Sequence, residues 1–263
     1  MFLTQVVPIV RREFPQKHGF VCRTLRSTGV PESLMEQIVA PVLEPLVAKG
    51  LELGYCARNG EVDVRLAARG PTAKRLVAGA EEAVRSRVDA FLFGEEDALL
   101  EEVVVRLLTE KKKTLALAES CTGGFIAHRL TNISGASAVL LAGLVTYSND
   151  AKQKFLGVRA STLAKHGAVS EAVVREMAEG ARARTGADLA VAVTGIAGPT
   201  GGSAEKPVGT AFLAIAGGRP TRVMKVFNPF DRETFKYVTS QQALELVRRR
   251  LLGVEDVELP ASI

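Results

Sequence analysis

The sequence predicts an α/β protein of two domains: a small N-terminal α+β unit over residues 1–95 and a three-layer α/β/α domain over 96–254. Three observations carry this. Beyond residue 95, apolar runs of strand length alternate with segments of helical periodicity. One of those runs, Asp188-Leu-Ala-Val-Ala-Val193, is apolar without alternation, as in a strand buried on both faces of a sheet. Before residue 95, the turn Asn59-Gly60 joins two alternating segments, which marks a hairpin.

In the first domain, Phe20-Val-Cys-Arg-Thr-Leu25 reads as a strand, and Val30-Pro31-Glu32 opens a helix that runs to about Lys49 and stops at Gly50. The hairpin strands are 52–58 and 61–67. Pro71-Thr72 then starts a helix with Leu76, Val77, Ala80, Val84 and Val88 on one face, ending before Phe91. In the second domain Asp97 is placed to cap a helix that closes at Lys111-Lys-Lys113, where positive charge suits the helix C-terminus. A strand at 114–118, a helix from Phe125 to about Leu130 and a strand at 142–147 follow. Asp150 is the expected N-cap of the short helix carrying Lys152. Ser170-Glu171 opens a long helix with Val173, Val174, Met177 and Ala181 inward, terminated at Thr185-Gly186. After the 188–193 strand comes the glycine-rich loop 194–203, then strands at 208–216 and 222–227 and a last helix from Asp231 to about Leu252.

Composition narrows the function classes. The chain has 263 residues, 47% hydrophobic and 24% charged, and no apolar run approaches the ~20 residues that span a bilayer. The opening Met1-Phe-Leu-Thr-Gln-Val-Val-Pro8 has no small-residue cleavage site, so a cytoplasmic location without a secretory signal is expected. Cys22, Cys56 and Cys121 are odd in number and lack Cys-x-x-Cys spacing, and His18, His128 and His166 are scattered. Neither a disulfide framework nor a metal site is expected. A net charge of +5 is an ordinary basic surface. The first domain has the size of a K-homology-like RNA binder, but the Gly-x-x-Gly clamp between two helices is missing, so nucleic-acid binding is not expected.

The chemistry-bearing residues gather in loops at strand ends. No Walker loop and no Gly-x-Gly-x-x-Gly appears, so no nucleotide cofactor is expected. Ala118-Glu-Ser-Cys-Thr-Gly-Gly124 is a strand-to-helix turn. Its Glu119, Ser120 and glycine N–H groups at Gly123 and Gly124 are candidates to orient substrate or hold an anion. Ser120 and Cys121 are candidate nucleophiles, since a helix N-terminus favours an ionised oxygen or sulfur. With no histidine nearby, the candidate base is Lys152, provided burial lowers its pKa, and Tyr147 can face the same cavity.

Five blocks in this order resemble the C-terminal domain of the competence/damage-inducible CinA family, which includes nicotinamide-nucleotide amidases: Ala-Glu-Ser-Cys-Thr-Gly-Gly at Ala118, Val-Thr-Tyr-Ser-Asn-Asp-Ala-Lys at Val145, His-Gly-Ala-Val-Ser-Glu at His166, Thr-Gly-Ile-Ala-Gly-Pro at Thr194 and Lys-Pro-Val-Gly-Thr at Lys206. The similarity covers roughly residues 98–252, and residues 1–94 resemble the family's middle domain. The resemblance implies hydrolysis of the carboxamide of nicotinamide mononucleotide to nicotinic acid mononucleotide and ammonia. It places the nucleophile at Ser137, within Gly135-Ala136-Ser137, the base at Lys152, supporting roles at Tyr147 and Thr194, and a phosphate or substrate contact at Arg232. Gly195 belongs to the same binding loops. The partners expected are a small nucleotide substrate and a second copy in a symmetric dimer. The family's molybdopterin-binding-like domain has no counterpart in these residues, so its associated ADP-ribose pyrophosphatase activity is not expected of them. The alternative reading is a non-catalytic interaction protein of competence and DNA damage.

Overall fold

The computed structural model describes residues 2–14 and 19–257, which leaves His18 outside the described residues, and the chain divides after Glu96 into two units. The first opens with one π-helical turn, Phe2–Val6, continuing into α1 (Val7–Glu13). Then come β1 (Phe20–Thr28), α2 (Glu32–Val47), β2 (Leu51–Arg58), β3 (Glu61–Arg69), α3 (Ala73–Val88) and β4 (Leu92–Glu95). The sheet order is β2-β3-β1-β4 with every pair antiparallel, the split βαββαβ arrangement. Leu25, Val64 and Leu66 meet Met35, Val39 and Leu43 of α2 and Val77, Ala80 and Val84 of α3 in one core. A hairpin separates α2 from α3, so among the described residues of this unit there is no helix–turn–helix in which a Gly-x-x-Gly clamp would sit.

The second unit contains α4 (Leu100–Glu110), β5 (Leu115–Glu119), α5 (Phe125–Thr131), β6 (Leu140–Val145), α6 (Asn149–Leu156), α7 (Ala160–His166) and α8 (Glu171–Thr185). It ends with β7 (Leu189–Gly195), β8 (Thr210–Gly217), β9 (Arg219–Phe227) and α9 (Arg232–Leu252). Its sheet runs β6-β5-β7-β8-β9; the first three strands are parallel, and β8 and β9 are antiparallel. The two faces differ in side-chain size. Ala116, Ala118, Ala190, Ala192, Ala214 and Ala216 pack with Val173, Val174, Met177, Ala178 and Ala181 of α8. The alternate residues Leu115, Leu117, Val193, Leu213 and Ile215 are fully buried on the opposite face, where α4, α5 and α9 pack on one another and α9 meets β7 and β8. Among the described residues no helix is long and apolar enough to cross a membrane.

Three local devices fix this layout. The Asp188 carboxylate accepts from Thr114 N at 2.9 Å, Thr114 Oγ1 at 3.0 Å and Lys113 Nζ at 3.0 Å, tying the starts of β5 and β7 together; these donors hold its pKa below the ordinary aspartate value. At Gly180 a Cβ would lie 1.8 Å from Leu156 O, so only glycine lets α8 lie this close to the end of α6. The third device replaces a conventional cap. α5 starts after Gly124, in the left-handed region at φ 95°, with no side-chain bond from the capping residue. Glu119, the last residue of β5, caps it instead. Its carboxylate is buried and accepts from Thr122 Oγ1 at 2.7 Å, Gly124 N at 3.0 Å, Ile126 N at 3.1 Å and Ala127 N at 2.9 Å.

Two expected caps are corrected. α6 is capped by Ser148, whose Oγ accepts from Ala151 N at 3.1 Å, so Asp150 lies inside its first turn. α4 begins beyond Asp97, and it is the Glu102 carboxylate that accepts from Leu99 N at 3.4 Å. β6 also ends at Val145, two residues earlier than its apolar run suggests, which leaves Thr146 and Tyr147 as a connection into α6.

Gly180→Ala is expected to lower the unfolding free energy by about 3 kcal/mol, the upper range for overpacking a filled site, in denaturant titration. Glu119→Ala is expected to lose about 3 kcal/mol in the same measurement, because several donors at the start of α5 would be left buried and unpaired.

Candidate active site

Parallel strands β5, β6 and β7 deliver Glu119, Thr146 and Thr194 to one edge of the sheet, the carboxyl edge where open α/β sheets bind ligands. Thr146 N donates to Glu119 O at 2.8 Å and Ser120 N to Val193 O at 3.1 Å, so the three strand ends stay in register past their last ladder pairs. The chain then turns into α6, and Lys152 on its first turns runs back under this edge.

Lys152 is 1% exposed, among the largest fully buried side chains among the described residues. Its Nζ lies 2.8 Å from Thr146 O, 3.3 Å from Tyr147 O and 3.1 Å from Ser120 Oγ. Burial lowers its pKa from that of a solvated lysine; a Cys121 thiolate would oppose the shift. Burial pushes the Cys121 thiol itself up to about 12, so at neutral pH it is uncharged and the opposition is absent. Nζ donates to the two carbonyls and to Ser120 Oγ, three acceptors that supply no counter-charge; in the neutral amine its lone pair is placed to take the Ser120 hydroxyl proton.

The other sequence-predicted residues fall into distinct roles. Arg232 Nη1 donates to Gly198 O at 2.8 Å and Nη2 to Tyr147 Oη at 2.9 Å, so it ties the glycine-rich loop to the connection that carries Lys152. Tyr147 is otherwise exposed. Thr194 is buried, and its hydroxyl donates to Ala168 O at 3.0 Å, which fixes the loop before α8. Gly195 is required by packing, since a Cβ there would lie 2.9 Å from Ala211 Cβ and Thr210 O.

The turn at 118–124 differs from expectation. Gly123 N donates to Ser120 O at 3.1 Å, and Gly124 N donates to Glu119, as do the N–H groups of Ile126 and Ala127. These donors are consumed inside the protein and are not aimed at an external anion. Glu119 is therefore a structural carboxylate. Cys121, buried with a raised pKa, does not present a thiolate.

Ser137 does not meet Lys152 within one chain. It lies in the short turn 136–138 before β6 and is exposed, whereas Lys152 is anchored beyond the other end of that strand. Five steps along β6 at about 3.3 Å each separate the two ends by about 17 Å. In one chain the hydroxyl beside the amine is Ser120. Sequence reading missed the carbonyls of Thr146 and Tyr147, for which no side-chain signal exists. It also missed Lys236, whose Nζ sits 3.9 Å from where a Gly123 Cβ would be and 5.8 Å from the Phe125 ring centroid. The signal available for Lys236 was its spacing of one helical turn from Arg232.

Residues 97–251 match the CinA C-terminal domain and residues 22–94 the damage-inducible protein CinA KH domain. A CinA-like protein of Akkermansia muciniphila is 47% identical over 223 residues, covering 84% of this chain and 52% of that protein. A CinA-like protein of Geotalea daltonii is 44% identical over 235 residues, covering 88% and 56%. The chain thus spans little more than half the length of these relatives. Among solved structures, the competence/damage-inducible protein of Agrobacterium tumefaciens is 45% identical with a TM-score of 0.55, covering 57% of this chain and 93% of that one. A CinA superfamily protein of Klebsiella pneumoniae is 37% identical with a TM-score of 0.57, covering 59% and 96%. With both of its units matched in order, the chain belongs to the CinA family.

Proposed function

We propose that the second unit hydrolyses the carboxamide of nicotinamide mononucleotide to nicotinic acid mononucleotide and ammonia. The observation that carries the reading is the buried Lys152 amine, lowered in pKa and bonded to a serine hydroxyl at the carboxyl edge of the sheet. An amide carbon is a poor electrophile, and a serine attacks it only when a base removes the hydroxyl proton as the bond forms. A lysine kept neutral supplies that base without a histidine.

In this reading the nucleophile is Ser137, as the family resemblance has it, supplied by the second copy of the expected dimer because Ser137 and Lys152 of one chain lie beyond opposite ends of β6, and Ser120, bonded to Lys152 Nζ, passes its proton on. Attack gives a tetrahedral oxyanion; the Lys152 ammonium then returns the proton to the departing nitrogen, which leaves as ammonia. Water, deprotonated along the same path, cleaves the acyl-enzyme and restores the serine. With the N–H groups of Gly123 and Gly124 bonded to Ser120 O and the Glu119 carboxylate, the phosphate is met by side-chain cations, Arg232 and Lys236 one turn apart on α9.

Lys152→Met is expected to lower kcat/KM for ammonia release from nicotinamide mononucleotide by about 10³-fold or more. In the wild type, kcat/KM should rise with pH as the amine becomes neutral, with a midpoint below the 10.5 of a solvated lysine. Stability should follow the same direction. The folded state binds fewer protons than the unfolded between the lowered pKa and 10.5, so unfolding free energy rises with pH across that window. Wild-type protein that is folded yet releases no ammonia would sink the reading, and an unchanged Lys152→Met would sink the base assignment.

A further inference from the structure

Three hydroxyls stand side by side at the carboxyl edge, and one of them is unpaired. β6, β5 and β7 run parallel, with Glu119 level with Val145 on one side and Val193 on the other. The next residues, Thr146, Ser120 and Thr194, stay level because Thr146 N donates to Glu119 O and Ser120 N to Val193 O. Side chains alternate along a strand, so all three share the face of Ala118, Leu144 and Ala192, which packs with α8. Neighbouring strands lie about 4.8 Å apart, which sets the Ser120 hydroxyl between two threonine hydroxyls. That of Thr194 is spent on Ala168 O at 3.0 Å. Thr146 is 1% exposed, and among the described residues its hydroxyl has no hydrogen-bond partner. An unpaired buried hydroxyl works against folding and is expected where a site uses it.

Thr146 already serves the amine through its backbone: its carbonyl accepts from Lys152 Nζ at 2.8 Å, and Nζ lies 3.1 Å from Ser120 Oγ. Ser120 Oγ has one proton and two lone pairs. In the amidase reading, on which this inference rests, the proton goes to neutral Lys152 and one lone pair takes the proton of Ser137. One lone pair is left, and the neighbouring Thr146 hydroxyl has a proton to offer it. We propose that Thr146 is a positioning residue for proton transfer: turned about χ1, its hydroxyl donates to Ser120 Oγ and fixes a chain that runs from Thr146 through Ser120 to Lys152. The turn exchanges a threonine's hydroxyl and methyl, groups of nearly one size, so it needs no new space. Its effect is on direction. Ser120 can accept from the amine or donate to it, and a hydroxyl that accepts a hydrogen bond becomes a stronger donor. Thr146 therefore tips Ser120 towards donating, which leaves Lys152 neutral and ready to take a proton. The Thr146 proton itself stays in place.

Thr146→Val keeps the shape and removes the hydroxyl. Its kcat for ammonia release is expected to fall about tenfold, the worth of one hydrogen bond, with KM unchanged within about twofold. Thr146→Ser should recover most of the loss. A second readout needs no turnover. Followed by NMR, the Lys152 side chain should titrate at higher pH in Thr146→Val and Thr146→Ala than in wild type and Thr146→Ser, because a Ser120 that no longer accepts from Thr146 is freer to accept from the ammonium. The titratable groups on the elements about Lys152 are the same in every variant: Cys121 after β5, Asp150 and Lys154 on α6, Glu119 bonded to α5 on the far face, and Glu176 of α8 paired with Arg159. Wild-type kcat in Thr146→Val, a Thr146→Ser protein as slow as Thr146→Val, or a Lys152 midpoint that does not rise overturns the proposal. If wild type releases no ammonia, the amidase reading fails, and the Lys152 midpoint alone decides the hydrogen-bond chain.

Discussion

The candidate site depends on keeping one amine out of water. A lysine buried to 1% exposure pays desolvation that an ammonium recovers only from strong acceptors, and among the described residues the hydrogen-bond partners of Lys152 include no carboxylate. Two backbone carbonyls and a hydroxyl take up the hydrogen bonds of the Nζ group but bring no counter-charge to offset its burial. That imbalance lowers the pKa, and it is set by backbone geometry: the early end of β6 exposes the carbonyls of Thr146 and Tyr147 to the helix that follows. Arg232 secures the same connection from outside through Tyr147 Oη and Gly198 O, so the basicity of Lys152 and the placement of the glycine-rich loop are mechanically linked.

A second constraint comes from the size pattern of the sheet. The alanine face admits α8 close to the strands, and Gly180 removes the last steric barrier between α8 and the end of α6. α6 is thus held down on the side that keeps Lys152 buried. The large side chains on the other face leave room for three helices, one of which, α9, brings Arg232 and Lys236 to the carboxyl edge. The chemistry at that edge is a consequence of which face received the small residues.

Much of the fold was legible in the sequence because local signals agreed with the tertiary outcome. The Asn59-Gly60 hairpin, the Ser170 cap and Gly186 stop of α8, and the unbroken apolar run of β7 each combine a turn or capping rule with a periodicity. α1 and α7 went unnoticed because each is seven residues long and follows Val6 or Arg159, which give no start signal, whereas the equally short α5 is marked by Gly123-Gly124 before it. Legibility of the site was uneven for a different reason. The types and loops of Ser120, Tyr147 and Lys152 could be read, but burial of Lys152 could not, since a lysine on a polar short helix gives no sign of facing inward.

The turn at 118–124 shows where reading by motif stops. Glycines after a strand and before a helix imply free N–H groups for an anion, and the inference holds only when no internal carboxylate reaches them. Glu119 does reach them, because β-strand alternation points its side chain toward the face that receives α5 while Ala118 points toward α8. An acidic residue in the last strand position before such a turn is therefore a competitor for the ligand the glycines advertise. The same carboxylate that satisfies the helix takes the N–H groups of Gly124, Ile126 and Ala127 from any outside anion, so glycines at such a turn do not by themselves mark a binding site.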